Sequence, residues 1–182
     1  AITMVSFGIF EKNILEKTAE AIFEEYKCPV NIRDGHLDLG EFYDSARRQY
    51  DGNALLKEVQ SMSFHDSDKS LGIFNVDLFI PILTFIFGQA FLNGRTAIAS
   101  IYRLSNERYG MEPDEELLTD RLKKEAIHEL GHTFGLIHCR DPRCVMRSST
   151  YVEDIDQKSQ HLCSDCRAVY SSKIDRILDC SG

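Results

Sequence analysis

The segment from His128 to His138, which reads HELGHTFGLIH, constrains this chain more than any other feature of its sequence. His128 and His132 are four residues apart, so on a helix they project from one face and both can reach a single cation. Gly135 can adopt the left-handed backbone conformation that ends a helix, because it has no Cβ atom. The chain can then reverse and bring His138 back to the same cation as a third ligand.

Three neutral imidazoles that leave one coordination position open are typical of a catalytic zinc, which lowers the pKa of a bound water to about 7. Glu129 follows the first histidine and projects to the side, where it can accept a proton from the attacking water. An ordinary amphipathic helix can carry H-E-x-x-H by chance, but it would not explain the added glycine and the third histidine. The spacing is that of the metzincin form of the zinc-peptidase motif. We therefore predict hydrolysis of peptide bonds, with Glu129 as the general base.

Four cysteines follow the third histidine in two close pairs separated by a longer loop. They are Cys139, Cys144, Cys163 and Cys166. This pattern favours a closed tetrahedral zinc site with four thiolate ligands, whose role is structural because no position is open. The competing interpretation is two disulfides in a secreted protein, and the lack of an apolar signal segment at the start of the sequence argues against it. Cys28 and Cys180 have no close partner and are expected to be core residues or free thiols.

Met146 lies eight residues beyond His138, inside the loop between the cysteine pairs. A methionine in a tight turn beneath the zinc histidines is the second mark of a metzincin, so we predict a Met-turn at this position. The alternative is a methionine that fills a gap in the core, which is the commoner role of this residue.

Taken together, the histidine motif, the four cysteines and Met146 resemble the archaemetzincin family of zinc metallopeptidases. The diagnostic residues lie between 128 and 166, and residues 76–78, 87–90 and 100–104 resemble family segments less diagnostically. The resemblance implies an α+β, metzincin-like zincin, in which a twisted mixed sheet packs with helices that include the active-site helix. It implies two zinc ions per chain, one catalytic on the histidines and one structural on the cysteines. Peptidase activity is implied as well, with aminopeptidase-like action on small substrates in some members.

The charge balance excludes a broad nucleic-acid-binding surface, since 29 acidic side chains outnumber 21 lysines and arginines and the net charge is −8. The longest apolar run, residues 76–92, is interrupted by Asp77 and Pro81 and is shorter than the roughly 20 residues that a bilayer requires. Zinc-type cysteine spacing and the lack of a visible export signal point to a reducing compartment. We therefore expect a cytoplasmic monomer that acts on a peptide or small protein substrate, without nucleic-acid or membrane partners.

The resemblance implies one metzincin-like catalytic domain, residues 1–182, and a sequence without repeats or linkers is best described as a single domain in two halves. The upper half, residues 1–135, ends with the active-site helix, and the lower half, residues 136–182, holds the four-cysteine site. Strands are predicted at residues 2–7, 29–32, 71–80, 84–90 and 96–103, and helices at residues 11–27, 53–62, 113–134 and within 162–178. The lower half offers little core, so a structural zinc, which can supply roughly 10 kcal/mol of folding free energy, would stabilise it.

Residues 85–90 are the candidate for the strand that borders the cleft, which in metzincins runs antiparallel to its neighbours and pairs with extended substrate. A covered core strand is the alternative. Tyr151 and His161 are candidate hydrogen-bond donors to the oxyanion of the reaction, although surface positions are the simpler interpretation. His65, in a polar stretch, is expected to lie in a loop.

Two other classes of function are compatible with parts of the sequence. A zinc- and peptide-binding module with little or no proteolytic activity would keep the same fold, but the intact Glu129 favours catalysis. A zinc-ribbon adaptor that works through the cysteine site alone would leave the three histidines unexplained. Metal stoichiometry separates the peptidase architecture, which holds both sites, from the adaptor, which holds the cysteine site only.

Overall fold

The computed structural model describes residues 1–62, 64 and 68–179, with side chains described as far as residue 175, so His65 and Cys180 lie outside it. The strands are β1 (Ile2–Phe7), β2 (Val30–Asp34), β3 (Tyr43–Asp44), β4 (Gln49–Asp51), β5 (Lys69–Phe74), β6 (Leu78–Phe79), β7 (Gly88–Ala90) and β8 (Thr96–Ser100). The helices are α1 (Lys12–Tyr26), α2 (Gly52–Ser61), α3 (Glu115–Thr133), α4 (Val152–Gln157) and α5 (Ser164–Asp179). None of the described helices has both the length and the apolar character needed to cross a membrane.

Five strands form the main sheet in the order β2-β1-β5-β8-β7. The first four run parallel, and β7 runs antiparallel to β8 at the edge, with Gly88 opposite Ala99 and Ala90 opposite Ala97. The mixed sheet confirms the α+β class, and the edge position of β7 agrees with the strand predicted to border the cleft. β1 and β8 are buried along their whole length, as expected of parallel strands that are covered on both faces.

Side chains of the main sheet alternate between two apolar clusters, one on each face. On β8, Ala97 and Ala99 belong to the cluster that includes residues of α1 and α3, whereas Ile98 belongs to the cluster that includes residues of α2. This period of two is the geometry of a pleated strand. α1 and α3 contact each other across the first cluster, where the Tyr26 hydroxyl donates a hydrogen bond of 2.6 Å to the carbonyl of Ile127. α3 is thereby fixed against the rest of the core.

The strand predicted at residues 71–80 is wrong in extent, because the chain turns in its middle. β5 ends before Asp77, and β6 joins a separate three-stranded sheet in the order β3-β4-β6. The buried carboxylate of Asp77 stabilises the turn, since it accepts hydrogen bonds of 2.8 and 2.7 Å from the Arg103 guanidinium and one of 3.2 Å from Gln49. Apolar periodicity cannot reveal these partners, which lie 26 and 28 residues away along the chain.

The lower half of the chain is joined to α1 by a buried carboxylate. Glu25 accepts hydrogen bonds from the ring of His161 at 2.8 Å and from the backbone of Leu162 at 2.9 Å, and it also pairs with Arg167. Glu25 itself is almost fully buried. Hydrogen bonds and a counter-charge compensate the carboxylate for its lost hydration, so these contacts hold the segment before α5 against the end of α1.

Candidate metal centre

α3 carries the histidine motif and ends where the motif predicts. It begins at Glu115 behind an N-cap, in which the Asp114 carboxylate accepts a hydrogen bond of 2.9 Å from the backbone of Leu117. It ends at Thr133, and Gly135 then adopts a left-handed φ of 85°. The chain reverses there, so the residues beyond α3 return towards the face that carries the histidines.

The three histidines of the motif converge. Each offers one ring nitrogen, and these atoms lie within 4.8 Å of one another. The Nε2 atoms of His128 and His132 are 3.2 Å apart, and His138 completes the cluster from beyond the turn. His128 is buried, His132 is half-buried and His138 is exposed, so the cluster opens to solvent on one side.

Backbone carbonyls fix the orientation of two of the imidazole rings. Nδ1 of His128 lies 2.8 Å from the carbonyl oxygen of Val145, and Nδ1 of His132 lies 2.8 Å from that of Leu136. Because a carbonyl only accepts hydrogen bonds, each Nδ1 carries the proton and each Nε2 presents a lone pair. Two lone pairs that face each other at 3.2 Å repel unless a cation lies between them. A tetrahedral zinc with Zn–N bonds of about 2.0–2.1 Å sets its nitrogen ligands about 3.3 Å apart, so this donor set fits zinc.

Loss of hydration favours the neutral form of the three rings, most strongly for the buried His128. It lowers the pKa of His128 well below the ordinary value, and it lowers the pKa of His132 and of His138 in the same direction. The positive charge of Lys158 adds to the effect on each ring. Neutral imidazole is the form that binds a metal ion, so the site is poised for metal without first losing protons.

Glu129 is buried together with two ionisable residues that sequence reasoning missed, Glu125 and Lys158. The exposed fractions of the three residues are 6%, 4% and 3%, respectively. Burial raises the pKa of the Glu129 carboxyl well above its ordinary value, and the neighbouring Glu125 raises it further. The spacing of the two acids, one helical turn apart on α3, could have identified Glu125. Nothing in the local sequence marks Lys158, which follows α4.

The histidines and these three residues line one cleft of about 640 Å³. One wall is β7 with the preceding residues 83–87, and the segment 148–151 also lines the cleft. Gly88 allows β7 to approach the two acids closely, because a Cβ atom on it would lie 2.8 Å from Cγ of Glu129 and 3.0 Å from Oε1 of Glu125. The edge strand of the main sheet therefore runs directly beside the carboxyl of the predicted base.

The two residues suggested as oxyanion donors lie in different places. Tyr151 is exposed and lines the cleft, so its role stays a prediction. His161 is not among the described residues that line the cleft, and its ring is bound to Glu25. His161 is exposed, which agrees with the surface position given as the simpler interpretation, and its place follows from a buried partner far away in the sequence.

The four cysteines predicted to bind a structural metal also come together. Their Sγ atoms lie within 4.8 Å of one another, and those of Cys139 and Cys163 are 3.8 Å apart. Cys139, Cys144, Cys163 and Cys166 are all free thiols, as is the half-buried Cys28. A tetrahedral zinc with Zn–S bonds of about 2.3 Å sets its sulfurs about 3.8 Å apart, so this donor set also fits zinc. The Sγ atom of Cys144 accepts hydrogen bonds from the backbone N–H groups of Met146 and Cys163, at 3.4 and 3.3 Å, which stabilise a thiolate.

Met146 lies in the turn between the two metal sites. It is fully buried, and its sulfur packs so closely on Gly131 that a Cβ atom there would overlap it. Its carbonyl accepts a hydrogen bond of 2.9 Å from the backbone of Cys139, and the carbonyl of the preceding Val145 orients His128. Met146 thus lies against the helix that carries the histidines, which is the position predicted for a Met-turn.

The chain is similar to known proteins over most of its length. The sequence model of peptidase family M54 matches residues 2–171. An archaemetzincin of Methanopyrus kandleri is 38% identical over 90% of this chain and 90% of its own length, and one of Pyrococcus abyssi is 40% identical over 84% and 82%. The crystal structure of the Methanopyrus kandleri archaemetzincin matches with a TM-score of 0.85 at 35% identity, covering 96% of this chain and 94% of that one. A zinc-dependent peptidase from Methanocorpusculum labreanum matches with a TM-score of 0.84 at 29% identity, covering 93% and 100%.

Proposed function

The chain belongs to peptidase family M54 and is a zinc-dependent metallopeptidase, and we propose that its catalytic centre is the histidine cluster, with Glu129 as the general base. The observation that carries this proposal is the convergence of three neutral imidazoles beside a buried carboxyl group in an open cleft. A donor set of this kind, with one side open to solvent, is typical of catalytic rather than structural zinc.

The catalytic zinc is assigned to His128, His132 and His138. Zinc bound there supplies Lewis acidity, which polarises a peptide carbonyl and lowers the pKa of water. The bonds from Nδ1 of the first two rings to the carbonyls of Val145 and Leu136 keep both Nε2 lone pairs directed into the cluster. The exposed position of His138 leaves the cluster accessible to substrate from the cleft.

Glu129 is assigned the proton transfers of the reaction. It accepts a proton from the attacking water and delivers that proton to the leaving amine, whose bond to the carbonyl carbon breaks. Its burial raises its pKa towards the range in which a carboxyl group both accepts and donates a proton readily. The position of Glu129, one residue after a zinc ligand and in the lining of the cleft, supports this assignment.

The substrates are peptides, and we assign their binding to β7. Gly88, Gln89 and Ala90 line the cleft and form an edge of the main sheet, so an extended peptide can pair with the side of the strand that faces away from β8. Aminopeptidase-like action on small substrates is part of the proposal. A comparison of peptides with free and with acetylated N-termini tests it, because an aminopeptidase requires the free amine.

A second zinc is assigned to the four cysteines, with Met146 as the Met-turn residue between the two sites. On this proposal residues 1–182 form one catalytic domain, whose upper and lower halves meet after Gly135. The acidic net charge of −8 supports a protein without nucleic-acid partners, and the free thiols support a reducing, cytoplasmic location. We further assign it no membrane partner and a monomeric state, which size-exclusion chromatography with light scattering tests.

Digestion of a peptide library by the zinc-loaded wild type and by Glu129→Gln tests the assignment of the base. We expect two zinc ions per chain in both proteins, cleavage by the wild type only, and loss of that cleavage after chelation. Unchanged cleavage by the variant would refute the role of Glu129. A wild type that carries both zinc ions, binds peptides and cleaves none would favour the peptide-binding module, and zinc at the cysteine site alone would contradict the histidine centre.

A further inference from the structure

We propose that Glu125 and Lys158 are positioning residues, which hold the carboxyl group of Glu129 towards the histidine cluster. The proposal rests on the catalytic role proposed for Glu129. Glu125 and Lys158 take no part in the hydrolysis itself, yet both line the same cleft as Glu129, and all three residues are more than nine-tenths buried. Ionisable side chains are rarely buried in this way unless their charges and hydrogen bonds compensate one another.

Glu125 restricts Glu129 on the side that faces the start of α3. The two residues are one helical turn apart on the same face of α3, so their buried side chains lie next to each other. On the side of the sheet, Gly88 leaves little free space, because a Cβ atom on it would lie 2.8 Å from Cγ of Glu129 and 3.0 Å from Oε1 of Glu125. With Glu125 on one side and β7 on another, Glu129 lines the cleft together with the three histidines.

Lys158 supplies the compensating positive charge. Lys158 lines the same cleft as the two acids, where its positive charge favours their ionised forms, and its Nζ donates a hydrogen bond of 2.9 Å to the carbonyl of Arg147, in the segment that follows Met146. The hydrogen bond fixes the ammonium group in the cleft that the two acids of α3 also line. Its charge offsets the repulsion between the acids, so its removal would allow them to move apart.

A positioning role has a kinetic signature that a role in folding or in substrate binding lacks. Misplacing a catalytic group by about 1 Å can lower the rate on the order of a hundredfold. Substrate pairing with β7 does not depend on where the carboxyl of Glu129 points. Loss of Glu125 or of Lys158 should therefore lower kcat and leave KM nearly unchanged.

The experiment uses Glu125→Gln and Lys158→Met, which remove charge at nearly constant size. Two control variants carry the same two kinds of substitution at positions on α3 outside the cleft lining. Glu116→Gln changes an exposed residue, and Lys124→Met changes a buried residue that pairs with Asp120. We expect the two test variants to lose between about tenfold and a hundredfold in kcat, with KM within about twofold of the wild type. Both should retain the wild-type zinc content, and the controls should keep the wild-type kcat.

Thermal melting of the zinc-loaded proteins gives a readout that does not depend on turnover. Lys158→Met leaves two buried acids without their counter-charge, so it should melt below the wild type. The double variant Glu125→Gln/Lys158→Met removes one of those acids and should melt above Lys158→Met.

An unchanged kcat in Glu125→Gln would overturn the proposal, and so would a rise in KM or a loss of zinc large enough to account for the lost activity. A double variant that melts no higher than Lys158→Met would overturn it as well. The failure of the proposed function looks different, because the wild type itself would then show no cleavage that Glu129→Gln abolishes. In that case the melting comparison still decides whether the three charges are coupled.

Discussion

Gly131 lies in α3 between the histidines His128 and His132, and its replacement by alanine brings two opposite effects into competition. In an exposed helix interior, Gly→Ala stabilises by about 1 kcal/mol, because glycine loses more backbone entropy on folding. At Gly131 the added Cβ atom would overlap the sulfur of Met146 and lie 3.0 Å from the hydroxyl oxygen of Tyr26 and 3.1 Å from Cε of Met146. Both neighbours are buried, so neither can yield without moving other core atoms.

We expect the steric effect of Gly131→Ala to exceed the gain in helix propensity. Overpacking a filled core destabilises by about 1–3 kcal/mol, and weakening the hydrogen bond from Tyr26 to Ile127 adds about 1 kcal/mol. After subtraction of the propensity gain, the net loss is about 1–3 kcal/mol. In a protein of this size 1 kcal/mol shifts Tm by roughly 2–4 °C, so the variant should melt roughly 2–12 °C below the wild type.

Scanning calorimetry of the zinc-loaded proteins measures this shift. Competition with a chelator measures zinc affinity at the histidines, and this affinity should fall in the variant. Displacement of Met146 also displaces the neighbouring Val145, whose carbonyl orients the ring of His128. The control is Gly131→Ala made in a Met146→Ala background. There the substitution should lower Tm by less than it does in the wild type, because the overlapping sulfur has been removed. A rise in Tm of roughly 2–4 °C for Gly131→Ala, the value that helix propensity alone gives, would refute the reasoning.

Three further substitutions test other contacts of the two sites. Cys144→Ser removes a sulfur that accepts two backbone hydrogen bonds, so elemental analysis should show loss of the cysteine-bound zinc, and full retention would contradict its role as a ligand. Glu25→Ala removes a buried acceptor and leaves the backbone N–H of Leu162 without its partner, so it should lower the free energy of unfolding in urea by about 1–3 kcal/mol, whereas an unchanged free energy would mean that the network contributes little. Gly135→Ala forces a residue with a Cβ atom to a φ of 85°, which costs about 1–2 kcal/mol. In a chelator titration this variant should bind zinc more weakly at the histidines, while the cysteine site stays loaded.

Local features of the sequence predicted the parts of the site that depend on neighbouring residues. α3 could be placed because its acidic start, its apolar spacing and the glycine that ends it all lie within one segment, whereas the strand predicted at residues 84–90 is shorter in the structure, where β7 covers only Gly88–Ala90. Lys158 could not be found in this way, since its relation to Glu125 and Glu129 arises only when the segment after α4 folds back onto α3. The split of the predicted strand at residues 71–80 has the same cause, because the partners of its buried carboxylate come from other elements.

The segment 144–146 belongs to both metal sites, and this explains why the cysteines follow the histidines so closely in the sequence. Cys144 contributes a sulfur to the cysteine cluster, the carbonyl of Val145 orients the ring of His128, and the sulfur of Met146 packs beneath Gly131. Three consecutive residues have little freedom to move independently, so an arrangement that fixes the first also constrains the second and third. The segment is buried in the main apolar cluster, and a metal bound by thiolates can add folding free energy that holds it in place, roughly 10 kcal/mol or more. A zinc at the cysteines would therefore act on catalysis through the backbone, by keeping one carbonyl within hydrogen-bonding distance of one imidazole.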